Sequence, residues 1–302
     1  MTRASLAGLA LLAALPARAE ETVLRGSYTE GPFWVGERLY YAEMYRDRVI
    51  TWTEAGGAAV FWERPGCGPT SIAPYRAGFL VLCHLDPSIV AVDAEGKTLQ
   101  AFGEDAEGAK LQNPNDSAAG PGGGVYFSDP GRFRKGAPKT GRVMHLSATG
   151  ALRAVAEGLD YPNGIAFDAG AQQILVSEHL ARRVLSYPVM ADGSLGEPET
   201  LIDLDTAGLS PPNYAEAGPD GVEIAPDGTI WVPDYGEGRI LAIGQDGLRV
   251  VEVKTPFVTN VAVSPGGMVA ITGAYDNARP PFPSIVSILP QASLGRRLQP
   301  VP

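Results

Sequence analysis

Histidine and cysteine are scarce in this chain of 302 residues, which holds three of the first and two of the second. His84, His145 and His179 lack the spacing of a zinc site, so zinc held by a histidine cluster is excluded and the three read as strand or surface residues. No G-x-S-x-G elbow, G-x-x-x-x-G-K-[ST] loop or H-E-x-x-H helix occurs, which removes the common serine-hydrolase, P-loop and zincin chemistries. Positive charge is also short: 24 Lys and Arg stand against 34 Asp and Glu, a formal net charge of -10. Such a surface repels phosphate backbones and anionic headgroups, which excludes nucleic acid and membrane surfaces as partners and favours a small solute or a cation. Long helical periodicity is missing beyond the first twenty or so residues.

The N-terminus has its own character. Met1-Thr2-Arg3 precedes an apolar run from Ala4 to Pro16 and then Ala17-Arg18-Ala19. A basic start, a short apolar middle and an A-x-A end describe a secretory signal peptide, too short for a membrane span. Residues 1–19 are therefore expected to be removed, leaving 20–302 as one domain exported to the periplasm or beyond. Export permits disulfides, and Cys67 and Cys83 flank a hairpin turn at Tyr75-Arg76-Ala77-Gly78. From sequence, a bridge and two unpaired buried thiols stand equally open.

Glycine (37) and proline (26) are abundant, as suits many short strands joined by tight turns. One phrase recurs six times: a turn, three or four apolar residues, then an acid or small polar residue. Examples are Leu39-Tyr40-Tyr41-Ala42-Glu43, Phe79-Leu80-Val81-Leu82-Cys83, Val125-Tyr126-Phe127-Ser128-Asp129 and Ile230-Trp231-Val232-Pro233-Asp234. Repeats of about 40 to 50 residues, each with several strands, are the signature of propeller blades, because one four-stranded sheet cannot bury both faces alone. The expected fold is all-β, a six-bladed propeller of four-stranded antiparallel blades. The acidic ends Glu43, Asp129, Glu178 and Asp234 read equally as solvated strand ends or as partners of a site.

A second equivalence concerns the strand before each phrase. Aligning its start across the blades superposes Glu30, Thr70, Asn115, Asn163, Asp220 and Asn260, all with a side-chain oxygen. Pro162-Asn163-Gly164 and Pro219-Asp220-Gly221 taken singly are ordinary turns. In register at one blade position they describe a circle around the channel mouth. Carboxylate and amide oxygens without thiolate or imidazole suit a hard cation, Ca²⁺ first, with Mg²⁺, Mn²⁺ or Zn²⁺ as other occupants.

At these residues the chain resembles the gluconolactonase / senescence-marker-protein-30 family of six-bladed propellers. The likeness runs through Glu30-Gly31-Pro32-Phe33-Trp34, Pro114-Asn115-Asp116, Pro162-Asn163-Gly164-Ile165-Ala166-Phe167, Pro219-Asp220-Gly221 and Thr259-Asn260. The resemblance implies that Glu30, Asn163 and Asp220 bind one divalent cation, with Asn115 beside it as a further ligand or substrate contact. It implies that Asp220 doubles as the base and that Asn115 and Asn260 contact substrate. Where many sugar-lactonase members carry a substrate-contacting arginine, this chain has Asn113. The expected activity is hydrolysis of a lactone, a sugar aldonolactone such as glucono-1,5-lactone, by a monomer. A broader esterase or phosphotriesterase, and a non-catalytic exported ligand-binding propeller, are the alternatives. The stretch from Asp205 to Gly218 is long enough to rim or cover the pocket.

Overall fold

The computed structural model describes residues 21–301, and the expected signal peptide at 1–19 lies outside them. Within that span the chain forms six antiparallel sheets in sequence order, as the repeats predict. The first blade runs Thr29–Val35, Arg38–Glu43, Arg48–Thr53 and Gly57–Glu63, each strand paired with the next. The inner strands of the other five begin at Pro69, Ser117, Pro162, Gly218 and Phe257. Each inner strand touches the next and the sixth touches the first, so the ring closes.

Closure mixes the two ends of the chain. Thr22–Ser27 pairs antiparallel with Pro283–Pro290 and so becomes the outermost strand of the sixth blade. The segment after Pro290 forms a short helix at Gln291–Gly295. Gln299–Pro300 then pairs on the edge of Gly247–Glu252 in the fifth blade.

The near-continuous apolar second strands follow from this stacking. Successive side chains of a strand point to opposite faces, and in a propeller both faces are covered by neighbouring blades. Leu80 and Leu82 pack toward the third blade with Val125 and Met144, whereas Val81 and Cys83 pack toward the first with Tyr40 and Trp62. Six apolar clusters result, one at each blade interface.

The acidic ends of the second strands are neither solvated nor part of the site. Glu43, Asp129, Glu178 and Asp234 are all buried. Each faces, across the ladder, the arginine that opens the third strand: Arg48, Arg142, Arg183 and Arg239. All four pairs are closed ion pairs. Asp129 also accepts hydrogen bonds from the backbone N–H of Gln112 and Asn113, and Glu178 from Asp160. Asp129 and Glu178 thus staple the loop that enters their own blade. In the second blade the equivalent position is Cys83, and its disulfide to Cys67 ties down the entering loop covalently. The open question about the two thiols resolves to a bridge.

Candidate metal and catalytic site at the channel mouth

The strand pairing explains why the ring residues are free to converge. In four blades the ladder between inner and second strand slips at the ring position, between Glu30 and Phe33, Pro69 and Ser71, Pro162 and Ile165, and Val258 and Asn260. A residue at such an irregularity leaves the regular pleat, and its side chain is re-aimed, here toward the axis. The glycines after Asn163 and Asp220 serve close approach and not a turn. A Cβ on Gly164 would run into the Asp220 backbone, and one on Gly221 into the Asn260 side chain. Adjacent ring residues can therefore sit one against the next.

Glu30, Thr70, Asn115, Asn163 and Asp220 line one cavity of ≈ 300 Å³, and all five are buried. Asn260 does not line it. Its amide donates to Asp116 Oδ2 at 3.2 Å while its Oδ1 accepts from Val261 N at 2.8 Å, so it is spent one layer down the channel. Asn113 is likewise occupied, exchanging two hydrogen bonds with the Gly131 backbone. A larger concavity of ≈ 840 Å³ opens at the opposite rim around Trp34 and Trp52, and no ring residue lines it.

Burial raises the proton affinity of both carboxyls in the small cavity. Burial first, then the charges of Asp220 and Asp116, hold Glu30 well above the usual carboxylate range. Burial and Asp116 do the same to Asp220. Among the described residues no lysine or arginine lines the cavity. Among the described residues the basic side chain within 4 Å of Asp220 is His179, whose Nδ1 lies 3.9 Å from Asp220 Oδ2. Burial lowers this imidazole to about 4, so it is neutral at pH 7 and supplies no counter-charge.

His179 corrects the expectation that the histidines are bystanders. It is buried, and its Nε2 lies 2.9 Å from the Glu216 carbonyl, which requires the proton on Nε2. Nδ1 is then an acceptor, and Asn163 Nδ2 approaches it at 3.4 Å. That contact turns the Asn163 amide nitrogen outward and leaves its oxygen for the cavity. His84 also lines the cavity, whereas His145 is stacked on Tyr126 far from the ring. Neither role was legible in the sequence, because it depends on loops meeting across blades.

The donor set fits a hard divalent cation. Among the described residues no three of His, Cys, Asp and Glu cluster in a way that could hold a metal. An ion here would depend on amide oxygens beside the two carboxylates. Two buried, mutually repelling carboxylates without a basic partner, next to oriented amide oxygens, are the environment that Ca²⁺ relieves.

Below the mouth lie two more acids. Asp116 accepts hydrogen bonds from Ser71, Ser117 N, Ile165 N and Asn260, tying four blades at the axis, and burial raises it to about 6. Glu223, partly exposed along the channel, accepts from Val263 N, and burial around its carboxyl together with the charge of Asp116 raises it from 4.5 to about 8. An acid whose folded value lies above its unfolded one keeps a proton in the native state that the unfolded chain releases, so stability falls as pH rises through that window. Between pH 5 and pH 8 the urea midpoint of wild type should therefore drop more than that of Glu223→Gln, which cannot ionise. Equal drops in both proteins would remove Glu223 from the account.

The cavity rim is aromatic. Tyr28 and Tyr161, each two residues before a ring residue, have φ of 48° and 60°. Left-handed backbone at such residues costs about 1–3 kcal/mol and persists where the surroundings impose it. The Asp205 to Gly218 stretch rims the pocket through Tyr214, with Glu237 holding Asn213 and Tyr214 by their backbone N–H groups.

Residues 28–269 match the family described as the SMP-30/gluconolactonase/LRE-like region. The chain is 22% identical over 193 residues to a diisopropyl-fluorophosphatase of Loligo vulgaris, covering 60% of this chain and 59% of that one. It is 26% identical over 245 residues to a pentonolactonase of Haloferax volcanii, covering 77% and 76%. Among solved structures it resembles a calcium-binding protein, regucalcin, of Agrobacterium tumefaciens. The TM-score is 0.69 at 17% identity, over 88% of this chain and 92% of that one.

Proposed function

Because the chain belongs to the SMP-30/gluconolactonase/LRE-like family, we propose that it is a lactone hydrolase with Asp220 as general base and a divalent cation held by Glu30, Asn163 and Asp220, Asn115 beside them. The observation that carries this reading is the pair of buried carboxylates facing one small cavity that, among the described residues, no lysine or arginine lines. The pentonolactonase relative supports the reaction class. Calcium is the proposed cation, since every donor is oxygen and a structural relative is named as calcium-binding.

Bound there, such a cation would polarise the lactone carbonyl and stabilise negative charge developing on its oxygen. The chain's own groups do the rest. Asp220 takes the proton of the attacking water, with the Asn163 amide beside it. Asn115, which lines the cavity beside Tyr161, orients the ester. The acyl–oxygen bond of the ring breaks, and the proton passes to the departing alkoxide, giving the open hydroxy acid. The disulfide supports an oxidising compartment outside the cytoplasm as the place of this reaction.

A second reading, phosphotriester hydrolysis, is favoured by the fluorophosphatase relative, because the same donor set suits a phosphoryl oxygen. One assay separates them: kcat/KM for lactones, aryl esters and diisopropyl fluorophosphate, before and after chelation and calcium return. Highest kcat/KM on a lactone, lost on chelation at unchanged circular dichroism and regained with calcium, is expected. A protein that turns over no lactone, or one indifferent to chelation, is not the enzyme proposed.

A further inference from the structure

Around the oxygen cluster the cavity wall is built of rings. On one side Phe282 packs against Tyr45 at 4.6 Å and Tyr28 at 5.5 Å. On the other Phe133 packs against Tyr161 at 4.8 Å and faces Tyr235 at 6.3 Å. Tyr214 closes the gap at 6.2 Å from Tyr235. These rings come from loops of several blades, and two of them, Phe133 and Tyr45, stand 38% and 39% exposed at the entrance. Large rings held in water at the mouth of a cavity are positioned to meet an apolar ligand.

The hydroxyls of Tyr28, Tyr214 and Tyr235 are already engaged with one another or with Asn277. Asn277 donates to the Tyr214 and Tyr235 hydroxyls at 3.2 and 3.1 Å, and the Tyr235 and Tyr28 hydroxyls lie 3.2 Å apart. Hydroxyls lying against this part of the wall, away from Thr70, Asn115 and Asn163, would give up hydration without an equal set of partners. An aromatic ring, by contrast, gains edge and face contacts from the wall.

We infer that the site selects a lactone bearing an aromatic or extended apolar substituent over polyhydroxylated sugar lactones. The inference rests on the lactonase reading above and names its substrate class. Phe133 and Tyr45 are the specificity-determining residues, since they form the outer wall where a substituent of the lactone ring would lie.

The test uses the calcium-loaded full chain and three probes: δ-valerolactone, its phenyl-substituted derivative and glucono-δ-lactone. The phenyl compound should exceed the sugar lactone in kcat/KM by at least about 10²-fold. Phe133→Ala should cut the advantage of the phenyl compound over plain δ-valerolactone by about tenfold, mainly through KM. Tyr45→Ala, on a separate loop, should act in the same direction and covers the case in which the first variant misfolds. A sugar lactone turned over as well as the phenyl compound, or an advantage unchanged in both variants, overturns the inference. Plain δ-valerolactone carries neither substituent, so its turnover reports on the lactonase reading alone. If none of the three reacts, both readings fall; if it reacts and the sugar is preferred, only this inference does.

Discussion

Asp220→Ala should lower kcat/KM for a lactone by a factor of about 10²–10⁴ from the loss of the base alone, with any loss of cation affinity added to that. The residue is buried, faces the cavity, and lies beside the Asn163 amide. No other acid takes its place: among the described residues Glu30 is the only other carboxylate lining the cavity, and Asp116 is bound by four donors. Asp220→Asn separates the two duties, because the amide keeps an oxygen for the cation but accepts no proton. Calcium affinity by calorimetry should survive better in the asparagine variant than in the alanine one, while both stay slow. Full turnover by either variant with metal bound would sink the assignment of Asp220 as base.

The second large effect concerns stability. Asp129→Ala should destabilise the protein by about 3–5 kcal/mol, because it leaves Arg142 buried without its partner. The N–H groups of Gln112 and Asn113 lose their acceptor as well. These bonds hold the loop that delivers Asn115, so activity should fall alongside stability. A urea titration gives the first quantity and kcat/KM the second. Replacing both members, Asp129→Leu with Arg142→Met, should recover much of the stability, since an apolar pair of similar volume avoids the orphaned charge. If the single change moves the midpoint no more than a surface substitution does, the staple described for this blade contributes nothing.

The contrast between those two aspartates measures what could be read without coordinates. Asp220 was legible because a six-fold repeat places equivalent residues at one radius, and five of the six ring positions do line one cavity. Asn260 occupies the equivalent position yet turns its amide to Asp116, a choice made by packing one layer below. Asp129 ended an apolar phrase, and sequence could not tell a solvated end from a buried one. The deciding partner is Arg142, set opposite by strand pairing.

Sequence by itself determined the blades, since strands buried on both faces must be apolar throughout and the turns between them must recur. It determined the oxygen chemistry of the axis for the same reason of repetition. Only the tertiary structure decided the walls. His179, Phe133, Tyr214 and Phe282 lie on connections or strand ends whose spacing obeys no repeat. They meet over the cavity because the closed ring brings separate loops to one point, and a contact between residues so far apart in sequence leaves no periodic trace.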